Sequence, residues 1–63
     1  MSFHEYIVSL RLSREDVPFY ALIMAAMRKA DSDNEYKLRT CFPDVWDELH
    51  ARYHSPGGSL QGD

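Results

Sequence analysis

The uncharged stretch "VPFYALIMAAM", residues 17–27, constrains the fold more than any other part of the chain. It is too short to span a lipid bilayer, which takes about 20 apolar residues in a helix. Pro18 lacks a backbone donor and disfavours helical geometry at Val17, so the sequence predicts a helix that begins near Asp16 or Val17. Apolar residues surround this helix on nearly every side, and such a helix has to be covered on more than one of them.

The two apolar sides of this helix suggest different partners. One apolar face is Phe19, Ile23, Ala26, Met27 and Ala30, and the opposite side, the candidate oligomer face, is Val17, Ala21, Met24 and Ala25. Burial of this second face under another helix of the same chain is the simpler interpretation. An interface on it is the alternative, because methionine adapts to irregular surfaces and small domains gain stability by association.

The first segment predicts a helix over residues 2–12. Phe3, Tyr6, Ile7 and Leu10 recur at the spacing of one helical face. Ser2 stands three residues before a glutamate, as in a capping box. A β-strand is the rival interpretation, but no second strand-like segment is available to pair with it.

Two further helices are predicted after the acidic turn "ADSDN". Ser32 is the expected N-cap of a helix over 32–42, with Leu38, Cys41 and Phe42 pointing inward and Tyr36 outward. Pro43 fits the first position of a helix over 43–54. In that helix Trp46, Leu49, His50 and Tyr53 share one face, and Glu48 is spaced to pair with Arg52.

The sequence therefore predicts an all-α fold, a compact bundle of four short helices over about 2–12, 16–30, 32–42 and 43–54. These make one domain, residues 1–54, followed by a flexible tail, residues 55–63, in which "SPGG" ends the last helix. We expect a cytoplasmic protein without a signal peptide or membrane span, because charged residues interrupt every apolar stretch.

The candidate metal and catalytic patterns are incomplete. A calcium loop starting at Asp31 would need glycine and glutamate where the chain has Tyr36 and Phe42. His50 and His54 have a ligand-pair spacing, and Cys41 with His4 could complete a tetrahedral zinc site. Two histidines alone fall short of the usual four ligands, and a position of His50 beside Trp46 at the edge of the core is the simpler interpretation. A lone cysteine predicted on an apolar helix face is usually inert. The expectation is no metal, no cofactor and no enzymatic activity.

The acidic turn is bordered by a basic and aromatic cluster. It consists of Arg28, Lys29, Tyr36, Lys37 and Arg39. Basic residues around an aromatic ring can bind phosphates and a base, although the neighbouring carboxylates and the net charge of −3 count against a dedicated nucleic-acid surface. Nucleic acid is thus a partner that the sequence allows but does not favour, and a solvated helix face is the simpler interpretation.

The stretch "SFHEYIVSLR", with Ser2, Phe3, Tyr6, Ile7 and Arg11, resembles the start of the YozE-like proteins, small SAM-like helical domains of Gram-positive bacteria. Separately, "ADSDN…KLR…FPDVWDELHARYHSPGG" looks like small uncharacterised proteins of bacterial phages and other mobile elements. These resemblances imply a helical domain and transfer no catalytic residue. The function expected is a non-enzymatic protein–protein interaction module with an unidentified protein partner or a second copy of itself; the alternative is a small nucleic-acid-binding or regulatory domain.

Overall fold

The computed structural model describes all 63 residues and contains four α-helices and no strand. They are α1 (Phe3–Arg14), α2 (Phe19–Lys29), α3 (Ser32–Cys41) and α4 (Pro43–Tyr53), followed by a short 3₁₀ turn at Pro56–Gly58. The predicted all-α fold with four short helices is confirmed.

Three of the four helices pack together. The helices α2, α3 and α4 contact one another, and the 3₁₀ turn contacts α4, whereas α1 contacts none of them. The molecule measures 41 × 28 × 17 Å with a radius of gyration of 13.5 Å, against about 11 Å for a compact domain of this length. The compact part of the fold is therefore α2–α4, and α1 extends from it.

The connection between α1 and α2 explains this separation. Glu15 and Pro18 both have extended backbone angles, with ψ of 154° and 145°. Pro18 occupies the N-cap position, so α2 begins at Phe19 and not near Asp16 or Val17 as predicted. The missing N–H of the proline has no cost there, because N-cap residues donate no helical hydrogen bond.

The core is small for a chain of this length. Met27 of α2 and Leu49 of α4 are the two buried residues, with 5% and 8% of their surface exposed. Both lie on apolar faces that the sequence predicts, Met27 on that of α2 and Leu49 on the repeating face of α4, whereas Phe19 of the same α2 face is 59% exposed. Ile23, Leu38 and Phe42 are half-buried around them.

The N-caps of α1 and α3 use short polar side chains. The Oγ of Ser2 accepts a hydrogen bond from the N–H of Glu5 at 3.1 Å and lies 3.1 Å from its carboxylate. At α3, Asp31 is the cap, and its carboxylate accepts from the N–H of Asn34 at 2.9 Å. Ser32, the predicted cap, is instead the first residue of the helix, so the actual cap lies one residue earlier.

Replacing Asp31 with alanine should lower the free energy of unfolding by about 1 kcal/mol, because the N–H of Asn34 loses its acceptor. The matched change Ser32→Ala should cost less than about 0.5 kcal/mol, as for most exposed positions. Urea unfolding followed by circular dichroism measures both. Equal losses for the two variants would contradict the capping role of Asp31.

Candidate functional site

An open cleft lies where α2, the start of α3 and α4 meet. We call it the α4 groove; its volume is about 440 Å³. Its floor is apolar, because Met27 and Leu49 of the core reach it from below. A volume of this order is within the range of ligand pockets, about 300–1,000 Å³.

Aromatic side chains of α4 form the long wall of the groove. The rings of Trp46 and His50 have centroids 4.3 Å apart, and those of His50 and His54 are 6.2 Å apart. Tyr53 meets His54 edge to face at 5.3 Å and keeps 72% of its surface exposed. Trp46, His50 and His54 follow one another at a spacing of four residues, so one helix face carries the row.

Two opposite charges stand at the edge of the groove. Arg28 of α2 and Glu35 of α3 both line it, and neither forms an ion pair within 4.0 Å. The α4 groove thus combines an apolar floor, an aromatic wall and one unpaired charge of each sign. This combination suits an amphipathic polypeptide segment.

The second unpartnered surface is the apolar face of α1. Phe3 and Tyr6 are exposed, Phe3 to 79%, while Ile7 and Leu10 are half-buried although no other helix packs against α1. This is the face that the sequence predicts to be buried. The spacing is right, but no element of the same chain covers it.

The predicted basic and aromatic cluster is divided between different surfaces. Arg28 lines the α4 groove, whereas Lys29 lines a separate cleft between α2 and α3. Tyr36, Lys37 and Arg39 are exposed on α3. These residues therefore surround the α2–α3 junction without forming one continuous basic face.

Arg39 already occupies the aromatic faces of this region. Its guanidinium carbon lies 5.8 Å from the ring centre of Tyr36 and 5.6 Å from that of Trp46. These are cation–π distances. A base that stacked on either ring would have to displace the guanidinium or share the ring with it.

The predicted oligomer face of α2 is shorter than expected. Ala21 and Ala25 are exposed on the helix and Met24 is half-buried. Val17 is half-buried too, but it lies in the connection before α2 because the helix begins two residues later. What remains is a narrow surface of two alanines beside a methionine.

Cys41 does not have the predicted environment. It is exposed, not buried between Leu38 and Phe42. The chain passes directly from the last turn of α3 into α4 at Pro43, and the cysteine side of that turn stays uncovered. No group of three or more histidine, cysteine or acidic side chains comes together anywhere in the chain, so His50 and His54 stand as a pair.

The C-terminal residues fold back on α4. Gly57 and Gly58 have φ of 63° and 73°, which favours glycine, and they reverse the chain. Arg52 then donates to the carbonyl of Gly58 at 2.8 Å and to both carboxylate oxygens of Asp63 at 2.7 and 2.8 Å. The predicted pair with Glu48 is present only at 4.0 Å. Flexibility of residues 55–63 stays a prediction.

These contacts shift the charged states of both partners. The hydrogen bonds from Arg52, and a further one from the N–H of Leu60, hold the pKa of Asp63 well below its ordinary value of 3.8. The same hydrogen bond to Asp63 raises the pKa of Arg52. A bidentate guanidinium–carboxylate pair is among the stronger polar contacts available to a protein surface.

Acidification should release this C-terminal turn. Because the pKa of Asp63 is lowered in the folded chain, its contribution is complete above the ordinary value of 3.8 and is lost as the pH falls through the lowered one. The protection factor of the Leu60 amide, which compares its exchange rate with that of an unstructured chain at the same pH, should therefore fall at low pH, and Asp63→Asn should lower it already at neutral pH. Glu48→Gln is the matched control and should leave the exchange rate unchanged.

The chain matches no protein-family model, no curated protein sequence and no solved structure. The resemblance to YozE-like proteins thus stays a prediction. None of the helices combines the length and apolar character that crossing a membrane requires.

The α4 groove is a surface that was not predicted from the sequence. Its signal was present, since Trp46, Leu49, His50 and Tyr53 recur at helical spacing. The repeat predicts that these residues share one face of α4, but it does not show that the face lines an open groove. Glu35 of α3 lines the same groove and carried no such signal in the sequence.

Proposed function

We propose that this chain is a non-enzymatic helical interaction module, which completes its apolar core by binding another protein chain. The observation that carries the proposal is the apolar face of α1, which no other helix of its own chain covers. An open groove and an uncovered helix face are features of a binding surface. They lack the enclosed, water-excluding shape that catalysis generally uses.

The amount of exposed surface supports this proposal. The chain has 5476 Å² of accessible surface at a mass of 7.3 kDa, whereas a folded monomer of that mass exposes about 4,200 Å². The excess of about 1,300 Å² per chain would give about 2,600 Å² in a symmetric dimer, which is in the range of obligate interfaces.

The length of α1 supports it as well. A helix of 12 residues without tertiary contacts is marginally stable in water. Most helical stability in proteins comes from packing of an apolar face. A surface that binds α1 would therefore also stabilise its helical state.

The test is hydrogen exchange of the α1 amides in the full chain at increasing protein concentration, with sedimentation velocity on the same samples. The proposal predicts protection of α1 that rises with association, either of copies or with an added protein partner. Strong protection that is independent of concentration, in a chain that sediments as a monomer, would contradict it.

A nucleic-acid-binding or regulatory role is the alternative, supported by Arg39 and Tyr36 beside the exposed Lys37. Binding through these residues should weaken steeply with salt. A gel shift with mixed DNA and RNA at low salt, compared between the wild type and the double change Lys37→Ala/Arg39→Ala, measures it. Retarded bands of equal strength for both proteins would show that Lys37 and Arg39 are not the binding residues. The absence of a retarded band would contradict a nucleic-acid-binding role.

The proposed setting is the cytoplasm of a bacterium, in association with a mobile element. The free, exposed thiol of Cys41 is compatible with a reducing compartment. The bacterial and mobile-element origin depends on the sequence resemblances alone.

A further inference from the structure

We infer that α1 of one copy docks into the α4 groove of a second copy, so that two chains exchange their first helices in a symmetric dimer. This inference rests on the proposed interaction function and names its partner and its contact. It joins the two unpartnered apolar surfaces of the molecule in a single interface.

The sequence of α1 has the form of a groove-binding helix. Phe3, Tyr6, Ile7 and Leu10 stand at i, i+3, i+4 and i+7, the anchor spacing with which amphipathic helices bind apolar grooves. The opposite side of the helix carries Leu12, so the two leucines of α1 lie on different faces. The anchors would meet the aromatic wall and the apolar floor of the groove.

Charge is complementary between the two surfaces. Arg11 and Arg14 lie toward the C-terminal end of α1 and form no ion pair, and Glu35 at the groove edge forms none either. Docking with the basic end of α1 toward Glu35 would bring opposite charges together. Opposite charges that meet across an interface favour one docking direction over the other.

The connection between α1 and α2 favours exchange over closure within one chain. Its extended backbone at Glu15 and Pro18 directs α1 away from its own body. Exchange of an identical element is a low-cost route to a dimer, because the same contact that would form within one chain forms between two. A symmetric exchange contains this contact twice, in keeping with the area that each chain leaves exposed.

The experiment is site-directed cross-linking between two tagged forms of the full chain, both carrying Cys41→Ser to remove the native thiol. One form has Tyr6→Cys on the apolar face of α1, and the other has Tyr53→Cys in the groove wall. Both tyrosines are exposed in this structure, so neither change removes a core contact. The control replaces the first form by Leu12→Cys, on the opposite face of α1.

The inference predicts a mixed disulfide between the Tyr6→Cys and Tyr53→Cys chains, at least about tenfold more abundant than with the Leu12→Cys control. Cross-links mainly between two Tyr6→Cys chains would mean that α1 pairs with α1, which overturns the inference and leaves the proposed function standing. A third form carries Tyr6→Cys and Tyr53→Cys in the same chain. If it forms the disulfide within itself as a monomer, α1 is covered by its own chain, which would overturn the inference and the proposed function. A monomer in which no pair cross-links would overturn the inference alone, since a different protein could still cover α1.

Discussion

Replacing Leu49 with alanine is expected to lower the free energy of unfolding by about 2–3 kcal/mol. Leu49 is one of only two buried residues, and it contributes both to the contact of α4 with α2 and to the floor of the groove. A domain of 63 residues has a total stability of about 3–9 kcal/mol. With so small a core the lower end applies, so the variant should lose most of its cooperative fold.

Leu12→Ala is the matched control for this change. It removes the same atoms from the same residue type in an α-helix, but Leu12 keeps 41% of its surface exposed. The expected loss is below about 0.5 kcal/mol. Urea unfolding at one fixed protein concentration compares the two variants, and comparable losses would show that the core is not centred on Met27 and Leu49.

Much of this fold could be predicted because local rules decide it. The spacing of apolar residues predicts four helices, Pro43 marks the start of α4, and Ser2 caps α1 through the N–H of Glu5 as expected. The start of α2 was placed two to three residues too early. Pro18 occupies the N-cap position, just outside α2. The φ of a proline is also compatible with the first position of a helix, so the sequence does not decide between the two positions.

The site was harder to predict, for a physical reason. A repeating apolar face shows which side of a helix is favourable to bury, but it does not show which surface buries it. Phe3 and Leu10 share one face of α1, and a compact bundle of four helices would bury that face, but α1 packs against no other helix. Trp46 and Tyr53 share one face of α4, and that face lines an open groove.

Contacts between distant residues were also beyond the local rules. Arg52 has Glu48 at helical spacing, yet its main partner is Asp63, eleven residues away. That partner becomes available only because Gly57 and Gly58 reverse the chain at positive φ. A glycine pair in the sequence indicates a turn without indicating where the chain goes after it.

Leu10→Asp should convert the proposed dimer into a monomer, whereas Leu12→Asp should leave it dimeric. Leu10 lies on the apolar face of α1 and Leu12 on the opposite side, so the two changes share residue type, helix and added charge. Burying leucine contributes about 2 kcal/mol, and a symmetric dimer loses that contribution twice. The dissociation constant should thus rise about a thousandfold for Leu10→Asp.

Sedimentation equilibrium measures the dissociation constant, and thermal melting gives an independent readout. For an associating chain the melting temperature rises with protein concentration. That dependence should persist in Leu12→Asp and disappear in Leu10→Asp. If both variants stay associated, α1 is not the contact, and the exposed alanines of α2 beside Met24 become the surface to mutate, for example with Ala25→Asp. If both variants become monomers, a charge on either side of α1 is enough to prevent docking. That result would contradict the prediction that only the apolar face of α1 is bound.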